Sequence, residues 1–199
     1  MQPERRGRPG LVIFLIAVIC AAPMVLSYVL LNYTDIGRAG GTTSHGNLIE
    51  PPRPLPDLPL RDAAGSGPDG RLHGKWTIIY VSRGCDDRCQ AALRAMQEIR
   101  LASGRRMHRV QRLLVTYGGG AEGVETPPGQ LVVDGALLDG MDEGRSFRLA
   151  PGDDPLRAGR LYLCDPMGNL MMSYPEGTYQ QNIVDDLKHL LRYAGGGAG

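Results

Sequence analysis

The chain has 199 residues, 42% hydrophobic and 22% charged, with a formal net charge of +1 at pH 7. That is enough for one globular domain plus accessory segments, and so balanced a charge leaves no overall basic footprint for nucleic acid. Nor is there a P-loop, HExxH or GxSxG pattern; Gly118, Gly119 and Gly120 lack the lysine and helix start of a phosphate loop and read as a plain loop.

Residues 1–10 carry Arg5, Arg6 and Arg8, and residues 11–31 follow as an uncharged, almost wholly apolar run of 21 residues. At about 1.5 Å per residue such a helix crosses a ~30 Å hydrocarbon core. The arginines keep the N-terminus cytoplasmic, so the reading is a single-pass bacterial inner-membrane protein with its C-terminal bulk in the periplasm. A cleaved signal peptide competes through the small residues after Cys20, but the apolar run continues beyond Pro23 to Leu31. Ile19 is bulky for a lipid-attachment site, so Cys20 reads as a thiol within the span.

Residues 32–60 form a Gly- and Pro-rich linker, with Pro51, Pro52, Pro54, Pro56 and Pro59 at its end. Proline at this density favours an extended spacer, and an irregular first strand of the domain is the alternative. The domain itself is expected over residues 61–194, followed by a flexible Gly-rich tail at 195–199.

Within the domain, Trp76 to Ser82 reads as a buried strand and Cys85 to Ser103 as a helix, with Cys89, Leu93, Met96 and Leu101 as its core-facing stripe. Val110 to Tyr117, Leu161 to Asp165 and Asn169 to Tyr174 read as strands, the last two joined by a turn at Pro166–Gly168. Tyr179 to Tyr193 reads as the closing helix, with Ile183, Val184, Leu187, Leu190 and Leu191 on its apolar face. Strand, cysteine-bearing helix, strand, hairpin and helix in this order describe a thioredoxin-like α/β domain with a central sheet flanked by helices.

Cys85 and Cys89 are the candidate site. Two thiols at a helix start receive the favourable field of unpaired backbone N–H groups, and a spacing of four places them on one helical face with Cα atoms about 6 Å apart. The pair can close a disulfide or clasp a soft ion such as Cu(I). Asp86 and Asp87 oppose thiolate formation whereas Arg83 and Arg88 favour it, and the sequence leaves that balance open. Cys164, inside a strand, reads as a small buried hydrophobe. Met167, Met171 and Met172 read as packing residues, consecutive Met171 and Met172 pointing to opposite faces; His45, His73, His108 and His189 read as solvated or structural.

Residues 74–82 followed by Cys85-x-x-x-Cys89, the run Leu161-Tyr-Leu-Cys-Asp-Pro-Met-Gly-Asn169, and the closing helix around residues 183–192 together resemble the Sco/SenC family. Its members are membrane-anchored thioredoxin-like domains implicated in assembling the copper centre of cytochrome c oxidase. The resemblance implies a cytochrome c oxidase subunit or another assembly factor as partner. It gives Cys85 and Cys89 as catalytic thiols, or as Cu(I) ligands, in a divergent member. In copper-binding members a histidine five residues before the hairpin tyrosine completes the metal site, and Arg157 stands at that position. Guanidinium does not ligate Cu(I). Three roles follow: thiol–disulfide exchange at a copper site, Cu(I) delivery by the two thiolates, or a non-catalytic assembly domain. The stretch from Gly118 to Asp154 is short and irregular where the family would place a further helix.

Overall fold

The computed structural model describes residues 18–23, 44–57, 59–62, 70–118, 126–178 and 180–193. The chain divides into two units, residues 1–43 and 44–199. In the first unit the described residues 18–23 are helical. Among the described residues no helix is long and apolar enough to cross a membrane; the rest of the expected span at 11–31, residues 1–10 and the tail at 195–199 lie outside them.

The second unit is built on a mixed eight-stranded sheet. Its strands are β1 (Asn47–Pro54), β2 (Pro59–Asp62), β3 (Gly70–Arg71), β4 (Trp76–Ser82), β5 (Val110–Thr116), β6 (Gln130–Asp134), β7 (Leu161–Cys164) and β8 (Asn169–Tyr174), in the order β1-β8-β7-β4-β5-β6-β2-β3. β4, β5 and β6 run parallel, and every other pairing is antiparallel. Helices α1 (Asp87–Ala102) and α2 (Gln180–Tyr193) complete the unit.

Alternation along β4 divides the core. Trp76, Ile78 and Tyr80 point to one face, where Cys89, Leu93, Met96 and Ile99 of α1 and Ile183, Val184, Leu187 and Leu191 of α2 cover them. Ile79 and Val81 point to the other face, where no long helix lies among the described residues. Phe147, with Leu138, Leu149 and Leu156 around it, closes that face from an irregular segment, which contains only one helical turn (Ala136–Asp139) and a 3₁₀ turn (Arg145–Phe147). Asp139 braces this segment: it accepts hydrogen bonds from the Tyr117 hydroxyl and from the Ser146 amide (3.0 Å) and hydroxyl (2.6 Å).

Four details of the sequence reading change. Helix α1 starts at Asp87, so Cys85 precedes the helix instead of opening it; Asp86 is the N-cap, and its carboxylate accepts the Cys89 N–H at 2.9 Å. The buried stripe of α1 ends at Ile99, while Leu101 is 52% exposed, because three residues beyond Met96 keep the helical period and five leave it. β6, which the sequence reading passed over, lies beside β5 with Leu131 opposite Leu113. The proline-rich stretch, open between spacer and strand, contains β1, an edge strand whose ladder on β8 is interrupted between Leu48 and Arg53. Proline is tolerated there because an edge strand has one side free of the ladder.

Two polar devices hold the unit at points the hydrophobic pattern does not fix. Asp186 of α2 is 4% exposed and accepts the N–H groups of His45 (2.8 Å) and Gly46 (3.0 Å) and the Tyr174 hydroxyl (3.1 Å), with His45 Nδ1 at 3.0 Å. It fastens the start of the unit onto α2 and β8. In the β7–β8 turn, Asp165 accepts the N–H groups of Met167 and Asn169, both at 2.8 Å, and Gly168 takes φ +87°, which side-chain-bearing residues rarely adopt. A Cβ there would also sit 2.6 Å from His73 Nε2.

Candidate functional site

The site lies where β4 hands over to α1. Residues 83–86 leave the sheet, Asp86 caps the helix, and one turn later Cys89 enters the core. Cys85 and Cys89 are joined in a disulfide with Cα atoms 4.9 Å apart. The contact arises from the extended backbone at Asp86 (φ −80°, ψ −174°), which folds Cys85 back over the first turn. The two sulfurs differ in environment: Cys89 is fully buried against Leu93 and Met96, whereas Cys85 is half-buried beside a cavity of about 480 Å³. Tyr80, Ser82, Arg83, Arg88, Leu156 and Arg157 line that cavity. Tyr80 and Arg88 also border a second hollow of about 280 Å³ that continues along α1 past Ala91, Ala92 and Ala95.

The charges flanking the thiols are mostly spoken for. Arg83 is held by Glu143 at 2.5 Å, Arg88 by Glu176 at 3.1 Å, and Arg157 by Asp154 at 3.4 Å. Pairing with Glu143 raises the Arg83 pKa, so that guanidinium is permanently charged but locally neutralised. Asp86 and Asp87 add further negative charge at the helix start. Burial, and after it the Asp86 carboxylate, pushes the Tyr80 phenol up, so Tyr80 stays protonated beside the cavity.

The remaining sulfur and imidazole groups are elsewhere. Cys164 is fully buried in β7, opposite Thr77, and burial followed by the Asp165 charge pushes its thiol up to about 12. Met172 is buried in the helix-facing core, Met171 is half-buried and Met167 is 75% exposed at the turn. His73 pairs with Asp57 at 3.0 Å, His45 with Asp186, and His108 Nδ1 lies 3.0 Å from the Arg105 carbonyl. Among the described residues no three His, Cys, Asp or Glu side chains converge as a metal cage. Arg157 borders the same cavity as Cys85 but brings a guanidinium that is 83% exposed. Once reduced, the pair offers two thiolates, the donor set of a linear Cu(I) site, without a third ligand from position 157.

The comparisons with known proteins agree with this architecture. A family model described as a transmembrane-like, thioredoxin-like, C-terminal domain matches residues 76–194. The chain belongs to this family. Solved structures that share the thioredoxin-like fold include a copper-bound ScoI from Arabidopsis thaliana, 18% identical over 70% of this chain and 98% of the other, with a TM-score of 0.50. A SCO1/SenC family lipoprotein from Bacillus anthracis str. Ames is 16% identical over 71% of this chain and 98% of the other, TM-score 0.50. A thioredoxin-family thiol:disulfide interchange protein from Chlorobium tepidum TLS is 14% identical over 70% and 97%, TM-score 0.51. No curated protein matches the chain. The Sco resemblance of the sequence is thus met at the level of the thioredoxin-like fold.

Sequence reasoning placed the two cysteines together but not the groups that shape their surroundings. Glu143 and Glu176 come from segments 58 and 91 positions beyond Cys85 in sequence, and only the fold brings them to it, whereas Asp154 lies three residues before its partner Arg157. The signal for them was an Arg-rich rim, at Arg83, Arg88 and Arg157, that called for partners.

Proposed function

We propose that this thioredoxin-like protein is a periplasm-facing, membrane-tethered thiol–disulfide oxidoreductase that assists assembly of a cytochrome c oxidase copper centre. The observation that carries this reading is the pair itself: a half-buried Cys85 and a fully buried Cys89 joined across the cap of α1, with Arg157 where a copper-binding member would place histidine. The structural neighbours, Sco proteins and a thiol:disulfide interchange protein, support the same class of chemistry. The tether is residues 11–31, and the client is a cytochrome c oxidase subunit or a fellow assembly factor.

The reduced pair acts first. The Cys85 thiolate attacks one sulfur of the client's disulfide, forming a mixed disulfide and releasing the client's second sulfur, which takes up a proton. The Cys89 thiol gives up its proton and attacks the Cys85 sulfur, which closes the Cys85–Cys89 disulfide and releases the client's first thiol. The client disulfide is reduced by two electrons and the pair is oxidised by two; an upstream dithiol must then restore it. Exposure supports this order, since of the two cysteines Cys85 borders the cavity through which a foreign sulfur can approach.

Delivery of Cu(I) is the second reading, favoured by the closeness of the two sulfurs. There copper is cargo, held by Cys85 and Cys89 as thiolates. The reduced full chain should be mixed with an oxidised copper-site client, and free thiols trapped with time. Expected is one client dithiol per Cys85–Cys89 disulfide formed, abolished in Cys85→Ser. Absence of exchange together with tight, cysteine-dependent Cu(I) retention would replace the redox reading by delivery. Normal client assembly with both cysteines changed to serine would leave a non-catalytic assembly domain.

A further inference from the structure

The net charge of +1 conceals two stretches rich in basic residues. Residues 99–118 contain Arg100, Arg105, Arg106, His108, Arg109 and Arg112 without one Asp or Glu, and residues 187–199 contain Lys188, His189 and Arg192, again without an acid. The fold brings these two stretches together where α1 ends. Ser103, Arg105, Arg106, Lys188, Leu191 and Arg192 line a cavity of about 300 Å³, and Arg109 Nη1 reaches the Leu191 carbonyl at 3.4 Å, tying the 3₁₀ turn Gly104–Arg109 to α2. Among the described residues no carboxylate pairs with Arg105, Arg106, Lys188 or Arg192. At the cysteine end, by contrast, Arg83, Arg88 and Arg157 each have an acid. Flanking Arg105 and Arg106 in sequence, two large apolar side chains stand in solvent, Leu101 at 52% and Met107 at 41% exposure.

We propose that this end of the domain is a docking surface for the phosphate headgroups of an anionic lipid bilayer. Clustered cations with exposed apolar side chains among them are the signature of a surface that binds at the headgroup level: the guanidinium and ammonium groups take phosphate oxygens, and Leu101 and Met107 enter the acyl boundary. An anionic protein partner would satisfy the charges but would give the two exposed apolar residues no such place. The tether expected at residues 11–31 keeps the domain at high effective concentration over a membrane, so even a weak headgroup affinity populates the docked state. α1 has sixteen residues and spans about 24 Å, with the cationic end at its C-terminus and the Cys85–Cys89 pair at its N-terminus. Docking by this end therefore turns the thiols away from the bilayer, toward the extramembrane part of a client. This goes beyond the proposed redox role and rests on the tether proposed for residues 11–31.

The test is amide hydrogen exchange of the full chain reconstituted in nanodiscs of phosphatidylcholine alone or with about 30% phosphatidylglycerol. Expected is a slowing of about fivefold or more at residues 103–109 and 188–192 in the anionic discs, reversed by about 0.5 M salt and unchanged at β4. Arg105→Glu/Arg106→Glu and Lys188→Glu/Arg192→Glu should each abolish it, whereas Arg105→Lys/Arg106→Lys should retain it. Equal exchange in the two kinds of disc, or protection that survives both salt and charge reversal, overturns the proposal. An added arm with inorganic phosphate in neutral discs separates the sources: full protection by phosphate alone would assign the site to a soluble anion and overturn the bilayer reading. The salt arm needs no variant, so a charge reversal that fails to fold still leaves a decisive measurement.

Discussion

Asp186 offers the sharpest energetic test of how the domain is held together. In Asp186→Ala, the Gly46 N–H and the Tyr174 hydroxyl lose the acceptor they now reach at 3.0 and 3.1 Å, both in buried surroundings, while the His45 N–H lies nearer the surface and can turn to water. An abandoned buried donor costs about 1–3 kcal/mol, so two give about 2–6 kcal/mol. Escape from the cost of burying a carboxylate offsets part of this, which leaves an expected loss of about 3 kcal/mol. Trp76 is the only tryptophan and is 5% exposed in the core, so its fluorescence reports unfolding of this unit. With a urea m-value of about 2 kcal/mol/M, the midpoint of the full chain should fall by about 1.5 M at unchanged slope. Tyr174→Phe removes one donor and keeps the carboxylate, and should cost about 1 kcal/mol. A loss below about 1 kcal/mol in Asp186→Ala, or equal losses in the two variants, would refute Asp186 as the shared acceptor that fastens residues 45–46 to α2.

Four further outcomes follow from the site and its surroundings. Cys89→Ser should accumulate a mixed disulfide between Cys85 and the client, seen as a reductant-sensitive band, with client reduction slowed by about tenfold or more. Arg157→His supplies a nitrogen donor beside the thiols and should raise Cu(I) affinity of the reduced chain by about tenfold or more in a chelator competition; unchanged affinity would show that position 157 does not reach the sulfurs. Stability should fall in alkali: Cys164 has an ordinary value near 9 and a folded value of about 12, so from pH 9 upward the unfolded chain holds fewer protons than the folded one, and its stabilising contribution is lost toward pH 12. Urea midpoints from pH 8 to 11 should decline by on the order of 1 kcal/mol per pH unit from this thiol, with the slope reduced in Cys164→Ala. Asp86→Ala, which leaves the Cys89 N–H without its side-chain acceptor, should cost about 1 kcal/mol by thermal melting of the reduced chain.

The parts of the fold legible in the sequence are those governed by local periodicity. β4 and β5 announce themselves as short runs rich in apolar and β-branched residues, buried along their whole length, α2 because its buried residues recur with the period of a helix, and the turn at Pro166–Gly168 because proline and glycine punctuate it. β6 escaped because its five residues stand alone after a Pro- and Gly-rich loop, and its burial comes from lying beside β5, not from a strong pattern of its own. The start of α1, expected at Cys85, lies two residues later at Asp87 for a different reason. Asp86 and Asp87 are equally plausible caps on composition, and the choice between them is made by the chain's exit from β4. Long-range polar partners were the least legible: that Asp186 reaches His45 and Gly46, or Glu176 reaches Arg88, depends on the whole sheet order being in place.

The position of Cys85 outside α1 bears on how the pair can work. Had both cysteines lain on consecutive turns of the helix, both sulfurs would project from one face and share one environment. With Asp86 as the cap, the backbone of Cys85 belongs to the loop that follows β4, and that of Cys89 to the first turn of a helix packed on the sheet. Opening the disulfide therefore frees a sulfur on the loop and leaves the other fixed in the core. A mobile attacking thiol and a fixed resolving thiol suit sequential exchange, because the first must find a foreign sulfur and the second must find only its neighbour. The same asymmetry disfavours copper retention at two ligands: one donor is held by a rigid helix, the other by a loop whose cavity is lined by Arg83, Arg88 and Arg157, whose guanidinium groups donate no lone pair. Changing Asp86 and Asp87 together to Ser and Ala keeps a competent cap while removing two negative charges beside Cys85. If local acidity restrains the attacking thiol, client reduction at pH 7 should then accelerate by about threefold or more, with the gain shrinking as pH rises past the thiol's titration. An unchanged rate–pH profile would show that the carboxylates act only as helix-start residues.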